Sequence, residues 1–352
     1  MKKTTIDDVA RLAKVSTATV SRLINENGYV STATAERIKQ AIAALDYSPN
    51  YFAQQMGSRG RRSRIIGTIF ASRKSNFYQD ELFFTILQGI GDIVDEHQYN
   101  LLISHIDSSS EDAFSSLPSL ISDRLVEGLI IGGVPINPAF LKRIEETGIP
   151  AVVIGNYEHI ALPQVMVDNF QGGYLATEHL IKLGHTIIGV ISGDMELYSF
   201  RDKVAGYQQA LLDYSIPYDD SLVIIAKENV GLEQAGYDSA KNLLAENPNL
   251  SAIFASDSYF KIGVMEYLRK TGKRVPEDLS VVAYSTTNQL RANERPMACI
   301  CIDELGIGHT AAKYLFKIIE GFNTSESITM PVNFIEGSST THKEEIAVRN
   351  KG

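Results

Sequence analysis

The stretch "TIDDVARLAKVSTATVSRLIN", Thr5 to Asn25, decides how the chain begins to fold. Thr5 and Asp8 stand at capping-box spacing ahead of an apolar run. Ile6, Val9, Ala10 and Ala13 recur at three- and four-residue steps, on one helical face. "KVS" interrupts that rhythm, and Ser16 is suited to cap a second helix. This helix turns Val20, Leu23 and Ile24 inward, and its other face carries Thr17, Ala18, Ser21, Arg22 and Asn25. After the turn "NENGY", Ser31 caps a third helix with Ile38, Ala41, Ile42 and Leu45 inward. "YSPN" is expected to stop it, because Pro49 disfavours helix at Ser48. Two short helices joined by a tight turn and braced by a third make a helix-turn-helix unit. Asn50 can cap one more short helix, "YFAQQMGS", before the linker-like "RGRRSR". The head therefore ends near residues 58–64.

Charge separates this head from the rest. The whole chain of 352 residues carries a net charge of -9. Met1 to Arg64 holds eleven Lys/Arg against five Asp/Glu, a net of +6, which leaves 22 against 37, or -15, for the remainder. A basic head on an acidic body points to a nucleic-acid-binding module attached to a unit with another task. Hydrophobic content of 44% and charged content of 21% are those of an ordinary globular protein of two or three units. No apolar run reaches the roughly 18 residues of a membrane helix. "MKKTTIDD" lacks the apolar segment of a secretory signal, so a cytoplasmic location is expected. Cys299 and Cys301, two apart on a strand, read as core or interface thiols.

From Ile65 the rhythm changes. "IIGTIFA", "NLLISH", "EGLIIGG", "PAVVIG", "TIIGVIS", "LSAIFAS" and "DLSVVAYS" read as buried strands. Amphipathic stretches such as "ELFFTILQGIGDIVDEH", "GGYLATEHLIKLG", "YQQALLDY" and "EYLRKTG" lie between most of them. This alternation indicates a doubly wound parallel α/β architecture. The body is long for one open sheet, so two similar halves are expected, with the switch near "VMVDNFQGGY" and a ligand cleft where they meet. The expected ranges are 65–167 plus 298–326 for one half and 168–297 plus 327–342 for the other.

Catalytic signatures do not support an enzyme. There is no phosphate-binding G-x-x-x-x-G-K-[ST], "GVISG" places Ser192 one position too late for a nucleophile elbow, and "GIGHTA" and "GLIIGG" miss the dinucleotide pattern. The seven histidines show no metal spacing, and His179 and His185, flanking a helix end, read as structural. No metal and no cofactor are expected.

"T-I-x-D-V-A", "V-S-x-x-T-V-S-R" and "Y-x-P-N" followed by Ala53, with "VEGLIIGG", "TGIPAVVIGN", "VMVDNFQGGYLATEHLIKLGHTIIGVISG" and "VPEDLSVVAYS" in the body, resemble the lactose-repressor/galactose-repressor (LacI/GalR) family of bacterial transcription regulators. The resemblance covers essentially the whole chain and is densest over the first sixty or so residues. It implies a DNA-reading head at 1–49, a hinge helix and linker at 50–64, and a body like the periplasmic sugar-binding proteins. The second helix would enter the major groove, with Arg22 gripping a guanine and Thr17 and Ala18 meeting base edges. Thr5, Ser21, Asn25, Tyr29, Ser31 and Thr34 are suited to backbone contacts. In the hinge, Asn50, Ala53, Gln54 and Met56 would meet the minor groove, with Met56 as the apolar wedge where Leu is usual and Gln54 where many members have Arg. Lys14 replaces a common turn glycine and would be strained if its φ is positive.

For the body, the resemblance implies a cleft that takes a sugar or sugar derivative. Asp257 matches the family's effector aspartate. Arg201 and Lys203 flank the place of its effector arginine, with Lys203 in the usual register. Ser285 stands where an aspartate is common. Phe77, Tyr78 and Asp80 follow the first strand, among the effector-wall positions. "YQDELFF" resembles members that sense galactosides. The function implied is a cytoplasmic repressor, a homodimer on a near-palindromic operator, released or tightened by its effector. Two alternatives stand beside it: a catabolite-control regulator signalled by a protein partner, and a sugar-binding protein without regulatory DNA binding. The short tail after "SSTTH" has no heptads, so no coiled-coil tetramer is expected.

Overall fold

The computed structural model describes residues 4–24, 28–47, 63–72, 81–108, 112, 121, 125–133, 136–227, 231–285, 297–322 and 326–349. The chain forms two compact units, Met1–Ser63 and Arg64–Gly352.

In the first unit, α1 (Ile6–Ala13), α2 (Thr17–Ile24) and α3 (Thr32–Ala44) enclose Val9, Ala10, Ala13, Val20, Ile38 and Ala41. Leu23, Ile24, Ile42 and Leu45 pack half-buried around them. Each helix starts on a side-chain oxygen. Thr5 Oγ1 accepts from the Asp8 amide, while Asp8 Oδ2 accepts from the Thr5 amide at 3.0 Å. Ser16 Oγ accepts from the Thr19 amide at 3.2 Å, and Ser31 Oγ accepts from the Thr34 amide at 3.4 Å. Lys14 adopts the left-handed conformation at φ 55, and the Val15 amide beyond it returns to the Ala10 carbonyl at 3.0 Å. That bond closes the helix end in the manner usually given to glycine. The stop of α3 corrects the expectation: the helix ends at Ala44, ahead of Pro49. Asp46 turns left-handed at φ 44, and the Tyr47 amide bonds the Ile42 carbonyl at 3.0 Å, so a local cap ends the helix before proline acts.

The second unit runs β1 (Ile65–Ser72), α4 (Glu81–Glu96), β2 (Asn100–Asp107), β3 (Gly128–Gly133), α5 (Pro138–Glu146), β4 (Ala151–Ile154), β5 (Gln164–Val167), α6 (Asn169–Lys182), β6 (Ile188–Ser192) and α7 (Tyr198–Asp213). It continues with β7 (Val223–Ile225), α8 (Leu232–Glu246), β8 (Ala252–Ala255), α9 (Ser258–Lys270), β9 (Ser280–Ser285), β10 (Cys299–Cys301), α10 (Glu304–Ile319), β11 (Ile328–Met330), β12 (Asn333–Ile335) and α11 (Lys343–Arg349). Two six-stranded sheets result, ordered β11-β5-β4-β3-β1-β2 and β12-β10-β9-β8-β6-β7. The order is the same in both halves, and every pairing is parallel except β10 with β12.

All eight residues of β1 and all six of β9 are buried, as strands covered on both faces require. Alternate residues serve opposite cores. Ile66 and Phe70 join α4 and α10, whereas Ile65 and Ile69 join α5. In the second sheet, Phe254 and Tyr284 face α6 and α7, whereas Ala255 and Ala283 face α8 and α9.

Two short strands stand in the opposite sheet from their expected ranges. β10 was expected with the first half but pairs with β9 and β12 in the second sheet. β11 was expected with the second half but extends the first sheet beside β5. Between them, α10 packs on the core of the first sheet through Ile307, Ala311 and Leu315. The chain thus changes halves near residues 168, 302 and 331. Residues 343–349, in the tail that shows no heptads, form α11, anchored by the Lys343 amide on the Leu183 carbonyl at 3.0 Å. No helix among the described residues is long and apolar enough to cross a membrane.

Candidate functional site

The outer face of α2 is the candidate surface of the head. Thr17, Ala18 and Arg22 are exposed and Ser21 is half-buried, because the apolar residues of the same helix face the core. Gly28 turns at φ 120 beside the Arg22 stem, where an added Cβ would lie 3.6 Å from Cδ. Tyr29 is 90% exposed. Ser31 donates to Thr34 Oγ1 at 2.9 Å, and Arg37 reaches the same oxygen at 3.5 Å, so the start of α3 presents a ring of small polar groups. An arginine fork among small polar side chains, in a head whose residues 1–64 carry a net charge of +6, can read base edges and hold phosphates. Asn25, Asn50, Ala53, Gln54 and Met56 lie outside the described residues.

In the body, side chains converge at the carboxyl ends of β6, β8 and β9. Ser192 and Ser256 are fully buried and share a hydrogen bond at 3.3 Å. Asp257 caps α9, its Oδ1 accepting from the Tyr259 amide at 2.8 Å. Lys203, projected from α7, is only 7% exposed. Its Nζ donates to the Ser256 carbonyl at 2.9 Å and lies 3.9 Å from the Tyr284 ring centre and 5.2 Å from that of Phe200. Burial lowers its pKa to about 8, against the pull of Asp257. On the opposite face of the sheet, Lys261 places Nζ 3.5 Å from Ser285 Oγ, and burial also lowers its pKa.

Arg201 takes a different path from Lys203. It is exposed, stacks 4.1 Å over the Tyr198 ring and meets Glu158 at 3.8 Å. Asp202, next to it, bonds Asn156, and burial raises its carboxyl pKa. α7 therefore reaches the loop after β4, in the other half, with both residues. Of the residues named from the sequence, Lys203, Asp257 and Ser285 lie at these strand ends and Arg201 at their rim, while Phe77, Tyr78 and Asp80 lie outside the described residues. Lys261, Ser256 and Tyr284 are additions. Lys261 had a legible signal, since it follows Asp257 by four residues, one turn into the helix that Asp257 caps. Cys299 is buried in β10, and burial pushes its thiol up to about 11. His185 is held between Ser251 Oγ at 2.8 Å and the Thr341 carbonyl at 3.0 Å, a packing role. No metal-binding cluster occurs among the described residues.

Comparison with known proteins matches this architecture. Residues 5–50 match the family model of bacterial regulatory proteins, lacI family, and residues 63–338 match that of periplasmic binding proteins and the sugar-binding domain of the LacI family. The HTH-type transcriptional regulator MalR of Streptococcus pneumoniae is 29% identical over 324 residues, 92% of this chain and 95% of its own. A structure of the lac repressor dimer bound to operator and the anti-inducer ONPF superposes with a TM-score of 0.81 at 26% identity, covering 97% of this chain and 100% of that one. A complex of the transcriptional regulator CelR with cellobiose gives a TM-score of 0.72 at 26% identity, over 96% and 100% of the two chains. The chain belongs to the LacI family of bacterial regulatory proteins and is a transcriptional regulator rather than an enzyme.

Proposed function

We propose that this regulator is a cytoplasmic repressor that binds a near-palindromic operator as a homodimer and changes its grip when a sugar effector enters the cleft of the body. The observation that carries the reading is the exposed polar face of α2, with Arg22 at its centre, on a basic head joined to an acidic two-sheet body. The lac repressor dimer on its operator and CelR with cellobiose supply the precedents for partner and ligand.

In this reading Arg22, Thr17 and Ala18 meet bases, and Thr5, Ser21, Asn25, Tyr29, Ser31 and Thr34 meet the backbone. Asn50, Ala53, Gln54 and Met56 serve the hinge. Lys203, Asp257, Ser285, Arg201, Phe77, Tyr78 and Asp80 surround the effector. The two halves comprise 65–167 with 304–330 and 168–303 with 331–342, ranges that follow sheet membership. Their three crossings let a ligand at the strand ends change the angle between them, and a change of state requires that it bind one arrangement better than the other.

Selection of duplexes from a random pool by the full chain tests the DNA reading: a near-palindromic consensus is expected, and failure to enrich any sequence overturns it. Calorimetry over a panel of hexoses and disaccharides tests the ligand. Silence across the panel, with duplex binding intact, favours a protein signal in place of a sugar.

A further inference from the structure

We infer that Glu127 is a positioning residue that fixes the direction in which the linker leaves the body, and so carries the state of the body to the head. The inference rests on the reading of the chain as a homodimer on a near-palindromic duplex. The first unit gives way to the second between Ser63 and Arg64. At that joint Arg64 holds φ 51, a left-handed conformation that crowds the Cβ of an L-residue against its own backbone. The Arg64 carbonyl accepts from the Asn100 amide at 2.8 Å, and the Ile65 carbonyl accepts from the Glu127 amide at 2.9 Å. The Arg64 amide donates to Glu127 Oε1 at 2.6 Å. The carbonyl side of Arg64 is thus set by the sheet and its amide side by Glu127. The rotation between the two is φ, so the carboxylate is what keeps the turn left-handed. A carboxylate acceptor makes that bond stronger than one between neutral groups.

Glu127 is in turn set by α10. Its Oε2 accepts from the Tyr99 hydroxyl at 2.8 Å. The Tyr99 ring stands edge-on to Phe316 of α10, with centres 5.1 Å apart, and His97 stacks on the same phenyl at 3.8 Å. Gly128, next to Glu127, lies against the same helix: a Cβ there would come 2.9 Å from Leu315 Cδ1 and 3.0 Å from Ile319 Cδ1. α10 therefore presses both on the residue that follows Glu127 and on the tyrosine that Glu127 accepts from. The helix begins directly after the crossing near residue 302, where Asp303 Oδ1 accepts from the Gly306 amide at 2.9 Å. Its 16 residues span about 24 Å. One end sits at a connection between the two halves and the other on the Tyr99–Glu127 pair. A packed helix moves as a unit, so a change in the angle between the halves that displaces its start also displaces Leu315, Phe316 and Ile319.

Two heads on a near-palindrome must reach half-sites about 34 Å apart. Linkers that leave the body in one direction favour one such spacing, and linkers whose exit is not fixed spread the heads over many. Fluorescence anisotropy of the full chain, on a duplex selected from a random pool and on a scrambled duplex of equal length, tests this in wild type, E127A, E127Q and Y99F. The preference for the selected duplex should fall at least about tenfold in E127A, the loss expected for one charge-assisted hydrogen bond. It should fall at least about threefold in E127Q, which keeps an acceptor for the Arg64 amide, and in Y99F, which keeps the ring on Phe316. Affinity for the scrambled duplex depends on charge and not on spacing, and should be the same in all four. The Arg64 amide should exchange with solvent faster in E127A. A preference kept in E127A, or both affinities falling together, overturns the inference and leaves the DNA reading in place. Equal affinity of the wild-type chain for both duplexes overturns that reading. Circular dichroism confirms that each variant folds, and E127Q and Y99F carry the test if E127A does not.

Discussion

Lys14 and Lys203 each occupy a position that their chemistry does not favour, and each yields a measurable cost. Lys14 sits at φ 55, where an L-residue loses about 1–2 kcal/mol to contact between its Cβ and the backbone. K14G should stabilise α1 by about 1 kcal/mol, seen as slower hydrogen exchange of its amides in the full chain. Unchanged exchange would show that packing already compensates the strain. Lys203 makes a prediction in pH. Its folded pKa of about 8 lies below the ordinary 10.5, so at pH 7 both folded and unfolded chains hold the proton and the burial cost is fully present. As pH rises from about 8 toward 10.5 the folded chain loses the proton first and stability increases, by roughly 3 kcal/mol at most. Urea midpoints of the wild-type chain should therefore rise relative to those of K203M over that window, and parallel curves would refute the assignment. At this scale the sequence was partly legible. Thr5, Ser16 and Ser31 announce their caps because capping is local. The burial of Lys203 is not local, since Ser256 and Tyr284, which enclose it, arrive from strands fifty and eighty residues on.

Helix pairs in the body meet through glycines placed face to face. A Cβ on Gly89 of α4 would lie 2.3 Å from the Leu305 carbonyl oxygen, and one on Gly308 of α10 would lie 2.2 Å from that of Ile86. Gly173 of α6 and Gly206 of α7 approach the backbones of Lys203 and Phe170 in the same way, as do Gly236 of α8 and Gly263 of α9 those of Phe260 and Glu233. The absence of a side chain, rather than any unusual φ, lets these helices touch. G206A should push α7 from α6, destabilise the body by about 1–3 kcal/mol and weaken effector binding, because α7 carries Arg201 and Lys203, which are proposed to meet the effector. Chemical denaturation and calorimetry on the same preparation check both effects. The long apolar strands and the amphipathic helices were legible because each repeats a period over many residues. β10, β11 and β12 have only three residues each, too few to show a period, and their sheet is chosen by distant partners such as β5 and β9. That is why β10 and β11 were expected in the wrong halves.

Across the whole molecule, the charge split of +6 and -15 keeps the body off a polyanion while the head approaches it. Affinity for DNA should accordingly fall steeply with salt, by at least about tenfold between 50 and 200 mM. The general function was legible early, because both the helix-turn-helix and the doubly wound body write long, dense patterns. The effector was not, since the side chains proposed to meet it are few and gather from α7, α9 and the ends of three strands. The central claim is that the α2 face reads a specific duplex. Fluorescence anisotropy of the full chain on its selected near-palindromic duplex and on a scrambled duplex of equal length tests it most directly. The predicted result is nanomolar, salt-sensitive binding at least about a thousandfold tighter to the selected duplex, with Arg22→Ala losing about 1–3 kcal/mol of that preference. Equal affinity for both duplexes, or a preference untouched by Arg22→Ala, would contradict it.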